Sequence, residues 1–125
     1  MDHELISQLA ELKEEMNGHL KVYAMTNISR DDFARLKAIL ADWSLFDGEF
    51  TSFEAGMRKP ELGYYQHVLD CIVLHDPSSA IFVDDKFVNV NAARSSGIQG
   101  IVFESSESLL RQLRNQLLDA VSRTQ

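Results

Sequence analysis

Four short apolar runs alternate with helix-patterned stretches along this chain, and that alternation restricts its fold more than any single motif does. The runs are LKVYAM at 20–25, FTSFEA at 50–55, AIFVD at 80–84 and IQGIVF at 98–103. Each has the length of a strand and is too short for a buried helix. Between them the apolar residues recur at helical spacing. Leu5, Leu9, Leu12 and Met16 make one stripe, stopped by Asn17-Gly18. Ser29 opens a helix over 30–41, with Asp32 in the capping-box position and Phe33, Leu36 and Leu40 inward. A third helix covers 61–74, with Pro60 suited to its first turn and Leu62, Tyr65, Leu69 and Ile72 inward. A fourth covers 88–96 and stops at Gly97. A last amphipathic helix places Leu109, Leu110, Leu113 and Leu117 on one side. The order αβαβαβαβα predicts one α/β domain over 1–125, with a mainly parallel sheet between two helical layers in the Rossmann-like manner.

In such sheets ligands bind beyond the carboxyl ends of the strands. Thr26, Asp84 and Asp85 all fall at such ends. Asp84-Asp85 closes an apolar run, and adjacent carboxylates there suit a hard cation; Mg²⁺ takes one or two carboxylates and keeps several waters. The alternative is that one aspartate caps the following turn and the other faces water. Thr26-Asn27 offers a hydroxyl and an amide that bind a phosphoryl oxygen together with backbone N–H groups, or else a turn that caps the next helix. Pro60 holds Lys59 extended. From there the lysine either reaches across the strand ends to neutralise carboxylates and a phosphate, or stands in an exposed loop.

The remaining reactive residues carry less. His3, His19, His67 and His75 lack ligand spacing, and Cys71 on the third helix reads as a packing residue. There is no P-loop, dinucleotide-binding glycine loop or zinc pattern. A net charge of -7 without a basic stripe argues against nucleic acid and anionic membranes as partners. The single cysteine excludes an internal disulfide and points to a reducing, cytoplasmic compartment. The opening MDHELISQLAELKEEM is no signal peptide, and no run has the length of a membrane span.

Taken together, three segments resemble the haloacid dehalogenase (HAD) superfamily. VYAMTNIS is similar to its second motif, GMRKPELGYY to its third, and IFVDDKFVNVNAARSSGIQGIVF to its fourth, in the right order and spacing over residues 5–118. The wording lies closest to haloacid dehalogenases and the phosphatase domain of soluble epoxide hydrolases. The resemblance implies a Mg²⁺-dependent hydrolase, a phosphatase by ancestry, acting on a small phosphorylated molecule. It implies that Thr26 and Asn27 bind phosphate and that Lys59 stabilises charge on nucleophile and phosphate. Asp84, Asp85 or both would hold Mg²⁺, with Asn89 as a nearby helper.

The family's first motif, a strand followed by Asp-x-Asp that carries the nucleophile, has no counterpart here, and neither has the helical cap. No carboxylate in residues 1–19, Asp2 included, ends a strand. The resemblance therefore implies a truncated core, with the central strand missing between the strands at 20–25 and 80–84. Three ways of closing such a sheet are expected: self-association into a dimer, favoured; direct pairing of the two strands, next; or a strand lent by another chain. With two carboxylates alone, Mg²⁺ would bind weakly. Little or no turnover is expected from this chain by itself. The alternatives are a non-catalytic binding module derived from the family, and an enzyme using Asp84, Asp85 and Lys59 without the usual nucleophile.

Overall fold

A computed structural model describes residues 3–39 and 43–124. Leu40 and Ala41, expected at the end of the second helix, lie outside the described residues. Helix α1 (His3–Glu15) buries Leu12 and gives way at Asn17 and Gly18, both with positive φ. Strand β1 (Tyr23–Thr26) follows. Helix α2 (Arg30–Ile39) is capped by Ser29, whose hydroxyl accepts the Asp32 N–H at 3.2 Å. Its Phe33 is buried and meets Trp43 and Phe53 edge-on or tilted, about 6 Å between rings.

Strand β2 (Gly48–Thr51) pairs parallel with β1, Tyr23 opposite Gly48 and Thr26 opposite Thr51. The strand expected over 50–55 thus begins two residues earlier and ends at Thr51. Ser52–Ala55 forms instead a single helical turn, α3, closed by the left-handed Gly56, whose N–H reaches the Ser52 carbonyl. Helix α4 (Leu62–Cys71) starts after Pro60, so the proline stands in the preceding turn and not in the helix. Its inward face holds Tyr65 and Leu69 as expected and differs at the other positions. Tyr64, Tyr65 and Leu69 are buried, whereas Leu62 is 55% exposed and Ile72 lies past the helix end. Two large rings with hydroxyls that find carbonyl partners outweigh one leucine in setting the helix's rotation. Cys71 is exposed, contrary to a packing role.

After a 3₁₀ turn at Pro77–Ser79 come β3 (Ile81–Asp84), α5 (Phe87–Ser95), β4 (Gln99–Val102) and α6 (Ser106–Thr124). Gly97 ends α5 as expected. At φ 86° it lets its own N–H reach the Arg94 carbonyl and that of Ile98 reach the Ala93 carbonyl, so the last carbonyls are satisfied. Strands β3 and β4 pair parallel, Ile81 opposite Gln99 and Asp84 opposite Val102. Each parallel pair is joined through a helix, as parallel strands require.

The described residues contain two separate two-stranded sheets, β1-β2 and β3-β4, with no ladder between them. The direct pairing expected as one way of closing the sheet is therefore not what the chain adopts. Both halves rest on α4 instead. Tyr65 and Leu69 form a core with Ala92, Ala93 and Ile98, and Met25 of β1 and Phe82 of β3 pack against it. All residues of β1 and β3 are only half-buried, unlike strands at the centre of a fully covered parallel sheet.

Candidate functional site

The carboxyl ends of β1 and β3 meet at Lys59. Its ammonium donates to the Met25 carbonyl and to Asp84 Oδ2, both at 2.9 Å, and lies 5.6 Å from the centre of the Phe82 ring. The lysine and aspartate side chains are 11% and 9% exposed, so this is a largely desolvated ion pair. Breaking such a pair by removing one partner costs about 3 kcal/mol or more. The lysine is fixed by its backbone. Asn27 clamps it with both ends of its amide, accepting the Lys59 N–H at 2.8 Å and donating to the Lys59 carbonyl at 3.0 Å.

Asp84 is saturated with donors. Oδ1 accepts the Lys86 N–H at 2.9 Å, and Oδ2 accepts Lys59 and the Asn89 amide at 3.2 Å. Burial alone would raise its pKa. The Lys86 N–H and the Lys59 ammonium outweigh it and hold the carboxyl at about 2. The turn-capping alternative for one aspartate is thus real geometry, but the same carboxylate also holds the lysine. Asp85 is exposed. Asn89, only 5% exposed, is locked from its other side by the Tyr65 hydroxyl, which donates to its carbonyl at 2.7 Å.

Thr26 ends β1 with its hydroxyl 3.4 Å from the Phe50 carbonyl, a long contact. The hydroxyl is not the cap of α2, because Ser29 fills that place. Thr26, Asn27, Lys59, Asp84, Asp85 and Asn89 all line one open cavity of about 390 Å³, together with Ile28 and Lys86. Every residue singled out at the strand ends therefore converges there. A larger cavity of about 460 Å³ lies beside it and shares Asn27 and Ile28. The ion pair and both aspartates line the smaller one.

Of the α4 tyrosines the sequence placed Tyr65 on the inward face and left Tyr64 out, and it gave neither a hydrogen-bonding role, although they stand side by side in GMRKPELGYY. Tyr64 donates to the Thr26 carbonyl at 3.2 Å, and Tyr65 to that of Asn89. Adjacent residues of one helix thus hold the two sheet halves. Burial pushes both phenols up to about 12, with the charges of Glu54 and Asp84 adding to it, so they remain neutral donors. Ser52 was missed as well: its hydroxyl accepts the Ile28 N–H at 2.8 Å and donates to the Ile28 carbonyl at 3.1 Å, fixing the loop after β1.

For a hard cation the donor set is partial. Among the described residues no cluster of three histidine, cysteine, aspartate or glutamate side chains forms. Asp85 is open to solvent, and Asp84 offers a carboxylate already shared with three N–H donors. The pair fits Mg²⁺ as one or two ligands of a mostly hydrated ion. Among the described residues no helix is long and apolar enough to cross a membrane.

Known proteins resemble this chain in sequence and in fold. The chain is 41% identical over 115 residues to a drimenol cyclase of Aspergillus calidoustus, covering 92% of this chain and 22% of that protein. It is 44% identical over 111 residues to a sesquiterpene phosphatase of Aspergillus oryzae, covering 86% of this chain and 55% of that protein. The chain thus spans less than two thirds of either relative. Among solved structures, a HAD family enzyme from Bacteroides thetaiotaomicron in complex with magnesium and inorganic phosphate has a TM-score of 0.74 at 21% identity, over 87% of this chain and 57% of that one. That likeness shows the fold. No protein-family model matches the chain.

Proposed function

Because the chain belongs to the HAD-like superfamily and has phosphatases and hydrolases among its relatives, we propose that its cavity is the charge-stabilising part of a Mg²⁺-dependent phosphatase site. The observation that carries this is the Lys59–Asp84 pair, held at the junction of two parallel strand pairs beside Thr26 and Asp85. Desolvated cations and aligned donors at such a point stabilise charge on a transferring phosphoryl group. Lys59 faces the phosphoryl oxygens, with Thr26 donating its hydroxyl. Asn27 acts through its clamp on Lys59, and Asn89 through its bond to Asp84. Asp85, helped by Asp84, holds Mg²⁺, which when bound supplies further positive charge to the phosphoryl oxygens.

What this set lacks is a nucleophile. Both aspartates are committed to cation and lysine, and the described carboxylates of α1 follow no strand. We assign the nucleophile to a polypeptide segment outside this sequence, an apolar strand ending in Asp-x-Asp that lies between β1 and β3. The facing edges of those strands support the assignment, since each has ladder bonds on one side only. Without that segment the chain turns over little or no substrate. A non-catalytic binding role is the second reading, favoured by the saturation of Asp84 with donors.

Inorganic phosphate tests the site itself. With Mg²⁺ present it shifts the backbone amide resonances of Thr26, Asn27 and Lys86, and Lys59→Met weakens binding by about tenfold or more. Equal affinity in the variant would contradict the assignment.

A further inference from the structure

We propose that the larger cavity seats the organic body of the phosphate ester, and that this body is apolar. The inference rests on reading the Lys59 cavity as the phosphate site. The two cavities meet at Asn27 and Ile28, so a molecule whose phosphate lies by Lys59 extends across that wall into about 460 Å³ of space. This volume is ordinary for a small-molecule site.

The chemistry of the wall sets the class of ligand. Three of its polar side chains are turned to internal work. Asn27 is bound at both ends to the Lys59 backbone, Ser52 gives and takes a hydrogen bond at Ile28, and Ser29 caps α2. Apart from the charged ends of Arg58 and Glu61, what remains for a ligand is the carbon and sulfur surface of Ile28, Phe53 and Met57, all half-buried. Phe53 is pre-set: its ring lies 6.2 Å from that of Phe33, and the Arg30 guanidinium sits 5.3 Å above it. Arg58 in the lining and Arg30 beside this surface set two positive charges against the one carboxylate of Glu61, on a chain whose net charge is -7. An apolar body joined to an anion matches both features. A polyhydroxylated sugar phosphate would find only Arg58 and Glu61 as free side-chain partners for its hydroxyls there.

The test is a series of straight-chain alkyl phosphates, methyl to hexyl, against inorganic phosphate, titrated into the full chain with Mg²⁺. Affinity should rise by about threefold per methylene. Met57→Gln should lower the ratio of hexyl phosphate to inorganic phosphate affinity by about threefold or more, and Phe53→Ala should lower it further. Phe53 packs on Phe33, so Met57→Gln decides if Phe53→Ala fails to fold. A flat series with inorganic phosphate still bound overturns this inference alone. A rising series that Met57→Gln leaves unchanged overturns it too, because the body then binds elsewhere. If inorganic phosphate does not bind, or binds Lys59→Met equally well, the phosphate site falls and this inference with it.

Discussion

Lys59 has no freedom left: its backbone is clamped by Asn27 and its ammonium spans Met25 and Asp84. Its importance was legible as a Lys-Pro pair at the right distance from two aspartates, while the agent that fixes it was not. Asn27 was read as a phosphate ligand, and nothing in one sequence reveals that both ends of its amide face a backbone 32 residues away. A second residue of this kind is Asp47, outside the site. Its Oδ2 accepts the Val22 N–H at 2.7 Å and the Lys13 ammonium at 2.9 Å, tying α1 to the starts of β1 and β2. The Lys13 bond, then the Val22 bond, hold its carboxyl below the ordinary 3.8. A carboxyl lowered on folding contributes stability above its unfolded pKa and loses it as pH falls through the folded one. Urea unfolding between pH 6 and pH 3 should therefore show Asp47→Asn about 1 kcal/mol less stable at pH 6. The deficit should shrink towards pH 3, and a constant deficit would argue against the linkage.

Elements were legible in kind and order, less so at their ends. Alternating short apolar runs and helical stripes gave the parallel arrangement, because no other layering buries both. The errors were local. The 50–55 run carried Phe50 and Phe53, yet Ser52 leaves the ladder to bind Ile28 and the chain turns helical. On α4 the stripe put Tyr65 and Leu69 inward, as found, but also Leu62, where the buried Tyr64 and its bond to Thr26 turn the face instead. Strand β4 shows how tightly the second half is packed. A Cβ at Gly100 would stand 2.7 Å from Val90 Cγ1 and 3.1 Å from Arg94 Cγ, and Val90 is fully buried. Gly100→Ala should therefore push α5 off the sheet and cost about 2 kcal/mol, read by thermal unfolding. A melting temperature equal to that of the parent chain would contradict this packing.

At the scale of the molecule the fold is two parallel strand pairs on a shared helix, with a lysine where a continuous sheet would run between them. The family's motifs made the absence of a central strand readable, because what is missing from a known order can be counted. How the halves stay together was not readable, since it depends on α4 tyrosines and on which carbonyls they find. The half-buried strands β1 and β3 are where the proposed nucleophile-bearing strand would pair. One measurement bears on both: hydrolysis of an aryl phosphate with Mg²⁺, by the chain alone and with a peptide carrying an apolar strand followed by Asp-x-Asp. The account predicts no turnover alone, turnover on adding the peptide, and its loss in Lys59→Met. Turnover by the chain alone that disappears in Asp85→Asn would contradict it.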